Sequence, residues 1–235
     1  MCPTRNPMPA RCKESRPTLL IADDHTIFVE VLQCFLERNY VVMGAVTDGR
    51  SLVTEAIRIK PDIIVIDIGM PLLNGLDAAR RIREQLPGVR LVFLTMQESA
   101  HLAAAALELG NAGFVLKHAA ASELVTAIEQ VWRGEPYVSP KLRSRVCAEH
   151  RTHVIPLPKS LTPRQRDIVQ LFAEGYGLKE IAARLNLSLK TIEFHKHHIM
   201  EEFNLKSNAD LVLLAVTKGL IAINPNIRYT DGKVS

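Results

Sequence analysis

Between Thr18 and Arg133 the hydrophobic positions follow two alternating rhythms. Short β-branched runs, Leu19–Ala22, Val41–Ala45, Ile63–Asp67, Leu91–Thr95 and Gly113–Leu116, read as strands. The stretches between them carry a helical period: Ile27–Glu37, Ser51–Ile59, Leu76–Leu86, Leu102–Leu109 and Glu123–Trp132. Strand and helix in this alternation predict βα units and a doubly wound parallel sheet. Asn74, with Asp77 three residues on, marks a capped start for the third helix. From Leu161 the pattern is helical only, over Pro163–Glu174, Lys179–Leu185, Leu189–Phe203 and Ala209–Lys218. Thr162, Pro163 and Gln165 make a capping box with proline at the first helical position, Ser188 and the Ser207/Asp210 pair can cap later helices, and Gly175 and Gly177 stop the first. Residues 139–160 carry Pro140, Pro156 and Pro158 without a sustained period, the composition of a linker. The expected division is an N-terminal extension over 1–16, an α/β domain over 17–138, a linker over 139–159, a helical domain over 160–224 and a tail over 225–235.

Composition narrows the class. With 47% hydrophobic and 23% charged residues the chain is of the ordinary globular kind. No apolar run approaches the roughly 20 residues that span a bilayer, and none ahead of Thr18 could serve as a signal-peptide core, so a cytoplasmic protein without a membrane partner is expected. Cys2, Cys12, Cys34 and Cys147 show no C-x-x-C spacing, which argues against a zinc site or disulfide framework. The net charge of +4 divides unevenly: residues 1–138 carry 14 Lys and Arg against 16 Asp and Glu, whereas residues 139–235 carry 15 against 9. A basic C-terminal segment suits a polyanionic partner.

Asp23 and Asp24 follow the first strand and Asp67 ends the third, which puts all three at the carboxyl edge of a parallel sheet, where such folds bind ligands. Two carboxylates about 4 Å apart repel by roughly 4 kcal/mol at an effective dielectric of 20, so the cluster calls for a cation. Mg²⁺, a hard ion that takes carboxylates, water and phosphoryl oxygens, answers that need. Thr95 ends the fourth strand and Lys117 follows the fifth, bringing a hydroxyl donor and a compact positive charge to the same edge. These are the groups that stabilise a phosphoryl group's peripheral oxygens, with Asp67 as nucleophile.

This set, with Asp67 followed by Ile68-Gly69-Met70-Pro71, resembles the receiver domain of bacterial response regulators. The resemblance implies a flavodoxin-like, five-stranded parallel sheet of order 2-1-3-4-5. It implies that Asp67 accepts a phosphoryl group from a sensor histidine kinase, and that Asp24, Asp67 and the backbone carbonyl of Gly69 hold Mg²⁺, with Asp23 acting through water. It makes Thr95 and Lys117 the phosphoryl-stabilising pair and Thr95 with Phe114 the switch, Phe114 standing where many relatives carry Tyr. Gly69 and Gln97 flank the expected path of attacking water, and a glycine there predicts a phosphoryl lifetime of minutes.

On a helical wheel of about 100° per residue, Ile192, Ile199 and Phe203 share a narrow apolar stripe, while Lys190, Phe194, His197 and Glu201 lie opposite. Joined to Lys179–Leu185 through Asn186-Leu187-Ser188, this is a helix-turn-helix pattern. Leu161-Thr162-Pro163-Arg164-Gln165-Arg166, Lys179-Glu180-Ile181-Ala182, Ser188 to His195 and Gly219-Leu220-Ile221 are similar to LuxR-type DNA-binding domains, and the whole chain to NarL-like response regulators. That likeness implies an all-α four-helix domain on double-stranded DNA half-sites, with a homodimer as the active form and the fourth and fifth receiver helices carrying the signal. By position, Glu193, Phe194 and His197 are the base-edge candidates, and Lys179, Lys190, Thr191, Lys196 and His198 face phosphates. Glu201 and Glu202 depart from the basic residues many relatives have there. Two other readings are a phosphorylation-independent regulator that uses the receiver for dimerisation and a Mg²⁺-dependent phosphohydrolase; Asp67-Ile68-Gly69 lacks the second acid of an Asp-x-Asp nucleophile motif.

Overall fold

A computed structural model describes residues 16–110, 112–119, 121–143 and 161–221. Most of the expected extension and linker, and all of the tail, lie outside these residues. The first unit runs β1 (Thr18–Ala22), α1 (Thr26–Leu36), β2 (Val41–Val46), α2 (Gly49–Ile59), β3 (Ile63–Asp67), α3 (Gly75–Gln85), β4 (Arg90–Thr95), α4 (Ala100–Leu107), β5 (Ala112–Leu116), α5 (Ala121–Trp132) and β6 (Tyr137–Val138). The strands pair in parallel in the order β2-β1-β3-β4-β5-β6. The expected five-strand order therefore holds, extended by a sixth strand. Its two residues are too few to show a period, and it forms because Gly113 and Phe114 offer an open sheet edge.

Successive side chains of a strand face opposite ways, and the central strands β1, β3, β4 and β5 are buried on both sides, whereas β2 at the edge is exposed or half-buried throughout. Leu20, Ile64, Ile66, Leu91 and Phe93 pack with α2, α3 and α4, whereas Leu19, Ile21, Ile63, Val65 and Val92 pack with α1 and α5. Each fully buried side chain contributes about 1.5–3 kcal/mol, which explains the nearly continuous apolar strands. The functional side chains stand at the ends of these strands, where the apolar run stops. Gly75 opens α3 directly against that edge: a Cβ there would lie 2.2 Å from the Asp67 carbonyl oxygen, so only glycine permits this approach.

The second unit is α6 (Pro163–Ala173), α7 (Leu178–Leu185), α8 (Leu189–Glu202) and α9 (Asn208–Thr217). The expected caps form: Thr162 and Gln165 complete their box, Ser188 accepts from the Thr191 N–H, and Ser207 and Asp210 box the start of α9. Ile192 and Ile199 are fully buried and Phe203 partly so, as the wheel requires.

The two units touch. Arg166 bonds both oxygens of Asp77 at 2.8 and 3.0 Å, and Arg81 bonds both oxygens of Asp167 at 2.7 and 2.8 Å. Arg50 donates to the Arg184 carbonyl at the end of α7. Gly219, past α9 at φ +66°, lies so close to Leu102 of α4 that an added Cβ would come within 2.5 Å of its Cδ2.

Candidate functional site: an acidic edge and an exposed helix

Asp23, Asp24, His25 and Asp67 offer one ligand atom each within 4.8 Å of one another. Asp23 is fully buried and Asp67 nearly so, while Asp24 and His25 are exposed. Asp23 is held by its turn, accepting from the His25 N–H at 3.0 Å. The His25 Nδ1 lies 3.1 Å from Asp23 and 2.9 Å from Asp24. Lys117 reaches in beneath them, its Nζ 2.7 Å from Asp23 Oδ2 and 3.0 Å from Asp67 Oδ2. The first of these contacts is an ion pair without hydrogen-bond alignment, so the buried Asp23 Oδ2 keeps its acceptor capacity. Three carboxylates against one ammonium leave net negative charge at this edge, where Asp23, Asp67 and Lys117 are buried.

That imbalance acts on Asp67. Burial pushes its pKa up, Lys117 pulls it down, Asp23 pushes it up again, and hydrogen bonds from Lys117 and the Gly69 N–H lower it; the net shift is upward. A divalent cation at the cluster would reverse the balance and keep Asp67 ionised. Hard oxygen donors, an acceptor atom in surplus and uncompensated charge fit Mg²⁺.

Thr95 is buried at the end of β4, and its Oγ1 accepts from the Gln97 N–H at 3.0 Å. The Lys117 N–H donates to the Thr95 carbonyl at 2.8 Å, which locks the ends of β4 and β5 side by side. Gly69 donates its N–H to Asp67 Oδ1 at 3.2 Å. Phe114 is fully buried, paired across the strands with Phe93. The sheet edge thus brings Asp23, Asp24, Asp67, Gly69, Thr95 and Lys117 together, while Phe114 belongs to the core. Sequence reading passed over His25, which shows only as the residue after the acid pair.

On α8 the side chains expected to meet DNA divide into two groups. Lys190, Glu193, Phe194, His197 and His198 are exposed, Phe194 at 65% despite its size. Lys179, on α7, is exposed too, and Thr191, half-buried, bonds the Ser188 hydroxyl at 2.7 Å. Lys196 is turned back onto the protein, donating to Asn208 Oδ1 at 2.8 Å and lying 4.8 Å from the centre of the Phe172 ring. His197 and His198 lie 3.3 and 3.5 Å from Glu201 and Glu202.

Comparison with known proteins fixes the class. Residues 19–129 match the response regulator receiver domain, and residues 159–215 match the bacterial regulatory proteins of the luxR family. The chain belongs to the two-component response regulators that join a receiver to a LuxR-type DNA-binding domain and act in transcription. It is 33% identical to the oxygen regulatory protein NreC of Staphylococcus carnosus over 213 residues, 86% of this chain and 98% of that protein. Among solved structures it is similar to the RcsB response regulator of Salmonella typhimurium, with a TM-score of 0.61 and 25% identity over 86% of this chain and 98% of that one. A LuxR-family response regulator from Aurantimonas matches at a TM-score of 0.55 and 30% identity, over 58% of this chain and 99% of its own length. Among the described residues no helix is long and apolar enough to cross a membrane.

Proposed function

We propose that Asp67 is the phosphoacceptor of this transcriptional regulator and that its phosphorylation frees the helical unit to bind promoter half-sites as a dimer. The observation that carries the reading is Lys117 lodged between Asp23 and Asp67, with net negative charge left over for a cation. In the transfer, an Asp67 carboxylate oxygen attacks phosphorus in line, the phosphorus–nitrogen bond of the donor's phosphohistidine breaks, and the imidazole leaves with that electron pair and takes up a proton. Asp24, Asp67 and the Gly69 carbonyl would hold Mg²⁺, with Asp23 supporting it through water, and the ion would supply charge neutralisation for the transferring phosphoryl group. Lys117 follows the new charge as a mobile cation, and the Thr95 hydroxyl turns from the Gln97 N–H to donate to a phosphoryl oxygen. Phe114 has no hydroxyl to signal that turn, so it acts by packing alone.

At the DNA, Glu193, Phe194 and His197 read base edges, with Glu193 accepting from cytosine N4 and Phe194 on a thymine methyl. Lys179, Lys190, Thr191 and His198 meet phosphates, and Lys196 joins them once it leaves Asn208. One RcsB structure, 26% identical to this chain at a TM-score of 0.57, is bound to a promoter in the presence of the phosphomimetic beryllofluoride. The decisive test is a footprint on genomic DNA with and without a small phosphoryl donor, repeated with Asp67→Ala. Donor-dependent protection that the variant loses is expected; equal protection by both proteins refutes the phosphoacceptor role.

A further inference from the structure

Lys117 stands one residue beyond β5, so where its ammonium arrives depends on how the end of that strand is fixed. On the β4 side the Lys117 N–H is bonded to the Thr95 carbonyl. The Leu116 N–H faces the other neighbour, β6, and β6 stops at Val138. In a parallel ladder the next acceptor on that side would be a backbone carbonyl. Here it is the Ser139 hydroxyl, which accepts from the Leu116 N–H at 3.1 Å. The Ser139 N–H also makes the last rung of the sheet, donating to the Phe114 carbonyl at 2.9 Å.

Ser139, the first residue of the expected linker, is 1% exposed. Its hydroxyl donates to Glu123 in the first turn of α5, so one oxygen bridges β5 and α5. Pro140 has no N–H to continue the ladder, and residues 140–143 turn into helix. A serine ahead of a helical turn ordinarily caps that turn's own N–H groups. This one gives its oxygen to the receiver instead. Leu142 is fully buried in the core that also holds Phe114 and Leu116, and its N–H donates to the Ser139 carbonyl at 2.8 Å, which pins the segment in place.

We infer that Ser139 is a positioning residue for Lys117: its hydroxyl, braced by Glu123, completes the β5 edge and fixes the backbone from which the ammonium reaches the phosphoryl oxygens. The inference rests on the assignment of Asp67 as phosphoacceptor. Without the hydroxyl, the buried Leu116 N–H has lost its acceptor, and the strand end must shift or admit water to satisfy it. Either change moves the neighbouring Lys117 backbone, and an ammonium held 2.7 and 3.0 Å from two carboxylates tolerates little movement. The metal side of the site is built elsewhere, since Asp23, Asp24, Asp67 and Gly69 come from β1, β3 and the turns that follow them. Loss of the hydroxyl therefore separates two affinities that general damage would lower together.

Calorimetric titration of the full-length protein, first with Mg²⁺ alone and then with beryllofluoride at saturating Mg²⁺, reads both. Ser139→Ala is expected to bind beryllofluoride about 10-fold more weakly than the parent, in the range usual for removing a supporting group. It should bind Mg²⁺ no more weakly, because Lys117 repels the ion. Leu142→Ala loosens the same segment while leaving the acceptor of the Leu116 N–H in place; it should lower the urea midpoint and keep both affinities of the folded protein near the parent's. Unchanged beryllofluoride binding by Ser139→Ala overturns the positioning role and leaves the phosphoacceptor intact. An equal loss in Leu142→Ala, or a matching loss of Mg²⁺ affinity in Ser139→Ala, overturns it too. Absence of beryllofluoride uptake by the parent removes the phosphoacceptor assignment and the inference with it.

Discussion

Removing the ammonium from the acidic edge is the sharpest perturbation the structure offers. Lys117 is 7% exposed and lies 2.7 and 3.0 Å from two carboxylates. At an effective dielectric of about 20, each contact near 3 Å is worth roughly 5 kcal/mol of attraction, most of it offset by the desolvation of all three groups. Deleting one partner of such a buried arrangement costs about 3–5 kcal/mol, because the desolvated charges remain without their counterion. Lys117→Met, similar in volume, should lower receiver stability by that amount at pH 7, seen as a urea midpoint about 2 M lower. The pH dependence has a definite sign. Burial raises the Asp67 pKa and Lys117 opposes it, so without Lys117 the folded form holds its proton to higher pH. The deficit is full above that raised pKa and shrinks as pH falls through it. Mg²⁺ should restore part of the loss, about 1.4 kcal/mol at ten times its dissociation constant. Urea melts of the variant at pH 7 and pH 5, with and without Mg²⁺, provide the check. A variant as stable as the parent at pH 7, or one whose deficit grows on acidification, refutes the electrostatic account.

Three further outcomes follow from the same geometry. Phe194→Ala, removing an exposed ring from the recognition helix, should cost about 1–3 kcal/mol of discrimination at one base position with little change in stability, measured by anisotropy against single-substitution duplexes. Lys190→Ala should instead weaken binding to all sequences and reduce the slope of log affinity on log salt by about 0.9, and an unchanged slope removes Lys190 from the phosphate contacts. Burial pushes the Glu174 carboxyl up against the opposing pull of Gln170, the Leu72 N–H, Arg184 and Arg50; the docked state therefore binds the proton more tightly, and docking weakens as pH rises through the raised value. Small-angle scattering of the unphosphorylated protein should show expansion over that range, and Glu174→Gln should abolish that component.

The legible parts of the chain were those whose signal is local. The central strands β1, β3, β4 and β5 announce themselves because burial on both faces demands unbroken apolar runs, and the acids and lysine stand where those runs end. The α6, α8 and α9 caps could be read because a capping box closes within four residues. Other features depend on what arrives from far along the chain. Asp167 and Gln170 look like the solvated face of α6, yet both are buried, since Arg81, Asn74 and Met70 cover them from the other unit. Leu72 carries no mark of its left-handed backbone, a conformation that sequence alone would assign to Gly or Asn. The expectation that α4 and α5 carry the signal came from resemblance. In the structure α4 touches the chain beyond α9 at Gly219, while the buried hydrogen bonds between the units converge on the loop that follows Asp67. Coupling needs an element with two discrete arrangements that both sites bias. The loop that follows Asp67 is hydrogen-bonded through Gly69 to the Asp67 carboxylate at one end and to Gln170 and Glu174 of the LuxR-type unit at the other, so the contacts that such an element would join lie within a few residues of one another.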